Sequence, residues 1–593
     1  MIVLPMKPSN KYTIATVWLL ISLPITGIFA QDQEEDDLGT QQVTVTKSYT
    51  PSLSDAFKLS TESIDVPSLL PAPKNLEFTP KDVEVVSTFV PNKASPLKLQ
   101  RKEKTLSSNS QLSFGLGNLG QIYFDAAVRA ALDSQQALGL DVFVEREGGV
   151  PNTIVPSDRN QTEVAATHQY NTSQFSALNQ LGFQATGAHY YGLYTEETPV
   201  NDPLRNDLLS FQQQFYSVYV KSRWQWYDKW LEKIHAKVRY AGDLFGTTEQ
   251  AADVLTNIRI PLFNAYVDIQ PQINFLQTNF EQGYFTRAEE QFSQSKAGVQ
   301  VQLSDVRKKF KYKIGAKAHY LIGDTSSSTS AFYVYPEVFM AYSNPNKKIQ
   351  PYISVTGNLR LNSYYSAFSQ NPFVAPALEL RPTDEKYQGE LGFTTLFKSG
   401  VEFKLAGRYS YNKQFALFQR YALDPQVTED GYRLANAFGW VYDDVTKYGA
   451  IAGLKYRTKN QSEIQIELLQ NAYDLAEQSK AWNLPALEAK LNANLTLTSK
   501  LKAYFSVNFM GSRAAAYRPV LLQQAPEFNQ AVVENLSAVT FLKAEMSYHL
   551  FDQWLLFARY RSAFGAQPYR WSFYPVNQNL VLLGARYKLN INL

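Results

Sequence analysis

Cysteine is absent from the 593 residues. That removes disulfide frameworks, thiolate metal sites and lipid attachment through an N-terminal cysteine. Histidine is scarce: His168, His189, His235, His319 and His549 are the 5 present, and none pairs with another at metal-ligand spacing. There is no H-E-x-x-H, no G-x-S-x-G elbow and no Walker lysine motif. A lone histidine on a strand is more often a packing residue than a catalyst. Paired carboxylates such as Asp443-Asp444 and Glu196-Glu197 stand in loop-like sequence and read as solvated. These absences predict a protein that is not an enzyme and uses no cofactor and no metal. Charge of one sign is lacking too. Lys+Arg 57 against Asp+Glu 54 leaves a formal charge of +3, which argues against nucleic acid as a partner.

What is abundant is aromatic. Phe, Trp and Tyr make up 14% of the chain, with Tyr 37 and Phe 36, while charged residues reach only 19%. That balance suits strands. Mean hydropathy is −0.29, and after the N-terminus no apolar run is long enough to span a membrane as a helix. Residues 1–30 read as an export signal: Lys7 and Lys11 form the charged start, Ile14 to Ile28 the apolar core, and Ala30 precedes the expected cut. Residues 31–109 are first acidic ("QDQEEDDLGTQQ"), then rich in proline at Pro51, Pro67, Pro71, Pro73, Pro80, Pro91 and Pro96. Proline at that density cannot build a sheet interior, so an irregular segment that leans on another surface is expected.

From about Ser110 to the end, apolar and polar residues alternate. In "LVLLGARYKLNINL", Val581, Leu583, Ala585, Tyr587, Leu589, Ile591 and Leu593 share one face, and Gly584, Arg586, Lys588, Asn590 and Asn592 the other. The same period recurs at Leu487 to Leu497 and Leu501 to Phe509. Period two means strands with one wet and one apolar face. A soluble sandwich alternates as well, so connection lengths decide. Short turns near Asn344-Lys348, Lys398-Gly400, Thr458-Ser462, Ser499-Lys500 and Phe551-Gln553 alternate with long loops near 363–385, 412–446, 474–485, 512–537 and 565–578. That asymmetry belongs to outer-membrane barrels. In lipid every strand edge must be paired, and closure removes the edges. The expected fold is all-β: a transmembrane antiparallel β-barrel over 110–593 of about 22 strands, within a range of 16 to 22. The stretch 254–290, with Pro261 and Pro271, carries the weakest pattern.

"QLSFGLGNLGQIYFDAAVRA" holds Gly115, Gly117 and Gly120 as G-x-G-x-x-G. A dinucleotide loop needs a buried strand before the glycines and a helix after them. Here half-exposed alternation continues on both sides, so a strand turn is expected.

The same stretch resembles a "G-x-G-N" strand pair found in Bacteroidota-type outer-membrane barrels catalogued as TonB-dependent receptor-like proteins. "VTKSYTPSLSDAFKLS", "HYYGLY" from His189, and "GNLRLNSYYSAFSQNPFVAP" from Gly357 to Pro376 are similar to other segments of that family. The resemblance implies a receptor- or porin-like barrel for transport or capture of a solute. An alternative is a scaffold or accessory subunit of an envelope export or assembly complex. Val43, Thr44, Val45 and Thr46 resemble an energy-coupling box, which implies a periplasmic or TonB-type partner through the N-terminal segment. Only residues 50–109 then precede the barrel, too few for a full plug domain. The segment is expected to lie in the lumen or across its mouth instead.

Trp224, Trp226, Tyr227 and Trp230 cluster beside Lys221, Arg223, Lys229 and Lys233 on the short-turn side. Indole and phenol rings favour the headgroup zone, so an interfacial belt against outer-membrane lipid is expected, with a stacking platform for sugar rings as the alternative.

Overall fold

The computed structural model describes residues 109–193, 209–227, 229–305, 309–323, 330–343, 349–397, 400–424, 429–458, 460–517 and 532–590. The export signal, the acidic and Pro-rich segment with Val43 to Thr46, and Glu196-Glu197 lie outside the described residues.

Strands dominate because the alternation is satisfied by one closed sheet of 22 antiparallel strands. Closure is explicit: Asn109–Gly117 pairs with Ile122–Ala131 on one side and with the last strand, Leu580–Asn590, on the other. One end carries tight connections, such as those between Phe175–His189's predecessor Arg159–Asn171 and itself, or between Thr248–Leu262 and Ala265–Phe280. The other end carries 190–211, 361–382, 421–437, 511–538 and 565–579. The long-loop end faces the cell exterior in barrels of this type. Both the first described strand and the last begin or end at the short-turn side.

Alternation decides which side chains meet lipid. Leu181, Val220, Ile273, Val334, Leu391 and Leu583 point outward, the last at 63% exposure. Positions of the opposite parity turn inward, among them Gln213, Ser217, Gln302 and Ser304. In water an apolar belt around the whole sheet would cost roughly 25 cal/mol per Å² and invite aggregation; in hydrocarbon it costs nothing. The fold is therefore a membrane-spanning barrel of the outer-membrane type. Among the described residues no helix is long and apolar enough to cross a membrane, and the strands do the crossing.

The G-x-G-x-x-G stretch is a hairpin. Leu119 and Gly120 both have positive φ, 49° and 65°, and Gln121 N–H closes the turn on Asn118 O at 3.2 Å. Two positive φ values match the twist of the flanking strands. The weak region 254–290 forms two long strands, Thr248–Leu262 and Ala265–Phe280. Pro261 sits one pair from their turn, and the ladder between these strands has no pair at Pro271, which lacks an N–H to give.

Three expectations need correction. The loop placed at 412–446 is only 421–437, because Val401–Arg420 and Phe438–Arg457 run on as 20-residue strands, with a register shift between Asn412 and Phe415. A crossing needs only about half that length, so the pair stands proud of the bilayer. The loop placed at 363–385 spans 361–382 and contains a helix, Tyr364–Gln370. Asp443 is not a solvated loop carboxylate: it is 2% exposed within a strand and accepts backbone N–H from Ala476, Glu477 and Gln478.

Candidate functional site: the inward-folded cap

The described residues of the long loops fold toward the barrel axis and share a core with lumen-facing residues of the wall. The helix Tyr364–Gln370 starts with Ser363 as N-cap, in a reciprocal capping box with Ser366, which satisfies the backbone N–H groups of both serines. It buries Tyr364, Ala367 and Phe368. Phe368 stacks on Phe215 of the wall at 4.6 Å, and Tyr364 meets Phe280 edge-on at 5.5 Å.

Polar groups of the wall hold the start of the helix. Glu249 accepts the Tyr364 N–H at 2.6 Å and is itself bound by Arg239 at 2.9 Å and Thr278 at 3.1 Å. The negative charge lies at the helix's positive end, a favourable arrangement. Tyr364 Oη donates to Asp243 Oδ2 at 2.8 Å, and Gln213 Nε2 donates to the same oxygen at 3.1 Å. Burial pushes the Asp243 carboxyl above the ordinary range, while bonds from Tyr364, Thr247 and Gln213 pull the other way.

Two fully buried arginines tie the loops to each other. Arg420 reaches Ala435 O at 2.9 Å, Gly192 O at 2.7 Å and Ser572 O at 3.4 Å. Arg433 donates to Asp430 at 2.9 Å and Gln282 Oε1 at 3.1 Å, and also to the Tyr284 carbonyl. Arg420 thus joins three chain segments, and Arg433 ties its own loop to the stretch at 282–284. A buried charge is tolerated only when its donors are met, so losing these acceptors would cost several kcal/mol. Tyr574, on the hairpin of Tyr569–Trp571 and Tyr574–Pro575, stacks on Phe373 at 3.6 Å. A Cβ at Gly192 would come within 2.3 Å of the Tyr574 ring, so that approach requires glycine. Asn436 Nδ2 bonds Tyr190 O at 2.7 Å, and Tyr190 Oη bonds Val374 O at 2.8 Å.

The segments singled out in the sequence by resemblance, His189 to Tyr194 and Gly357 to Pro376, meet here through their described residues. Sequence reading gave no sign that they would. The only available signal was a high density of Tyr, Phe and Trp in loops, where strand packing does not call for them.

Trp224 and Trp226 share the outward parity of Val218 and Val220 at the short-turn end of Gln212–Trp226. Trp224 Nε1 donates to Asn179 Oδ1 at 3.2 Å, and Trp226 packs on Phe175 at 5.2 Å. Tyr227 lies in the adjoining turn, and Trp230 follows at 63% exposure. Lys221 and Arg223 have the opposite parity and face the lumen. Among the described residues, no cluster of His, Asp or Glu could hold a metal ion.

This geometry defines the class: a wide outer-membrane-type barrel with a structured cap at its long-loop end. No protein-family model matches the sequence, and no curated protein does. Solved structures do. The chain is similar to the FrpB iron transporter from Neisseria meningitidis, at 10% identity and a TM-score of 0.58, over 82% of this chain and 83% of that one. It is similar to the siderophore receptor PirA from Acinetobacter baumannii, at 10% identity and 0.58, over 82% and 81%. A ferric enterobactin receptor from Pseudomonas aeruginosa gives 10% and 0.55, over 82% and 81%. At this identity the likeness is one of fold.

Proposed function

We propose that the protein is a receptor-type barrel of the outer membrane that captures or transports a solute. The observation that carries this reading is the cap. An open porin needs a clear water path, whereas here loop 361–382 is packed inward on a hydrophobic core and held by Glu249 and Asp243, and the described residues of 421–437 are packed inward beside it and pinned by Arg420 and Arg433. A mouth built this way suits selective capture. The fold shared with iron and siderophore receptors supports the same reading.

In this reading Val43 to Thr46 contact a periplasmic TonB-type partner, since the barrel begins on the short-turn side. Trp224, Trp226, Tyr227 and Trp230 anchor that rim in the headgroup zone, supported by the outward parity of the two strand tryptophans. The test is single-channel recording of the purified chain in a planar bilayer. Closed traces with rare, brief openings are expected. A steady conductance of porin size in the wild-type protein would overturn the receptor reading.

A further inference from the structure

A cavity of about 480 Å³ lies between the cap and the barrel wall. That is the size of a site for a small organic molecule. Its wall side includes Lys543 and Arg561; its cap side includes Tyr191, Phe373, Trp571 and Arg570. The cap side is thus an aromatic surface with one cation set into it.

The charges around this space do not balance. Arg561 is met by Glu145 at 3.2 Å and Glu147 at 3.3 Å. Asp158, also on the cavity, lies 3.7 Å from His189 and 3.8 Å from Arg146. The acids that line the space are therefore already engaged. Arg570 has no carboxylate partner among the described residues; its Nη1 touches Met510 Sδ at 2.7 Å and its guanidinium lies 5.2 Å from the Trp571 ring centre. Lys543 has no ion pair among the described residues either; Arg559 and Arg561 stand near it together with Glu545 and Glu145, the carboxylates those arginines hold. Behind Arg570 is a second guanidinium. Arg513 is 4% exposed and donates to the carbonyls of Tyr569 and Arg570 at 2.6 Å, while its Nε and Nη1 have no partner among the described residues. Burial, with the like charge of Arg570 beside it, pushes Arg513 down to about 10. Glu488 acts on Arg570 and Glu534 on Arg513 without pairing with either, and buried cations with no direct ion pair are costly unless something completes them.

We propose that this cavity binds a small organic anion, a carboxylate-bearing ring compound whose charge is held by Arg570 and Lys543 and whose apolar face lies on Tyr191, Phe373 and Trp571. Charge-assisted bonds from a guanidinium and an ammonium in a partly dry space supply the affinity, and the aromatic wall selects a flat body over a compact inorganic ion. The inference rests on the receptor reading and names the solute class that reading leaves open.

The test uses the full chain in lipid nanodiscs, with naphthalene dicarboxylate as probe and its uncharged diamide as control, read by calorimetry. Saturable binding of one dicarboxylate per chain is expected, with none for the diamide. Arg570→Gln and Lys543→Gln should each weaken binding about tenfold or more, the scale of one lost charge-assisted bond. Arg408→Gln, on the wall elsewhere, should leave binding unchanged. Heat-modifiable gel mobility confirms that each variant is folded. No saturable binding of the dicarboxylate, equal binding of the diamide, or full affinity in both site variants would overturn the site. Binding that obeys these rules, in a barrel that shows steady porin conductance, would sink the receptor reading and leave the site standing.

Discussion

Asn118 and Asn579, 461 positions apart in sequence, are joined across the barrel seam: Asn118 Nδ2 donates to Asn579 O at 2.9 Å. The same side chain's Oδ1 accepts the Val581 N–H at 2.9 Å, and the Asn118 backbone N–H reaches Val581 O at 3.0 Å. The glycines beside it serve the same closure. A Cβ on Gly117 would fall 2.4 Å from Val581 O, and one on Gly115 2.6 Å from Leu582 Cδ2. The first hairpin and the last strand meet because Gly117 leaves room for the Val581 backbone and Asn118 bridges them.

Asn118→Ala should therefore loosen the seam at its outer rim. Three side-chain hydrogen bonds are lost, two across the seam and one from Gln121 Nε2 within the turn, on the order of 3 kcal/mol together. The folded band on a gel should convert to the unfolded band at a lower temperature than in wild type. Gly117→Val should act more strongly, since backbone rather than a flexible side chain is in the way. An unchanged conversion temperature in both would show that the seam is held elsewhere.

Arg420→Ala should release the cap without opening the barrel. The acceptors at Ala435, Gly192 and Ser572 would be left buried and unmet, costing about 3–5 kcal/mol. Trypsin should then cut within 421–437 in intact cells, while heat-modifiable mobility persists. A variant as resistant as wild type would contradict the arginine's role as a tie.

Strand count, parity of the ends and the face of most residues were legible in the sequence, because period two and turn length are local properties. Val581, Leu583 and Ala585 could be assigned to one face from their spacing alone. The cap was not legible. Arg420 looks like a surface arginine until Gly192 and Ser572 are brought to it from 228 and 152 residues away. The same holds for Asp443, read as solvated because its role is to accept backbone N–H groups more than thirty positions downstream. The long ladder of Val401–Arg420 was missed for another reason. Past Tyr411 its alternation is blurred by the register shift, and its far half packs on the cap rather than on lipid.

Trp224 and Trp226 should report on membrane depth. With the other tryptophans replaced by phenylalanine, brominated lipid labelled near the headgroup should quench their fluorescence more than lipid labelled at the acyl midpoint. Stronger quenching from the midpoint would place the rings in the hydrocarbon core and remove the belt assignment. Quenching by neither would point to the sugar-platform alternative.

Asp243 makes the cap's hold on the helix Tyr364–Gln370 pH-dependent. Its folded-state pKa is raised above the ordinary value of 3.8, chiefly by desolvation. The folded cap therefore binds the proton more tightly than the released cap. This carboxyl's contribution is fully present below 3.8 and is lost as pH rises from there through the higher folded value. Once ionised, Asp243 still accepts from Tyr364 and Gln213, but it carries a charge in a buried site. Amide exchange of residues 364–370, compared between wild type and Asp243→Asn, isolates the effect from other titrating groups. Wild type should lose protection relative to the variant as pH climbs through that window, and the difference should level off above it. A flat difference would mean that the carboxyl is as easily ionised in the cap as in water, and a wild type that loses protection relative to the variant on acidification would mean that it is ionised more easily there.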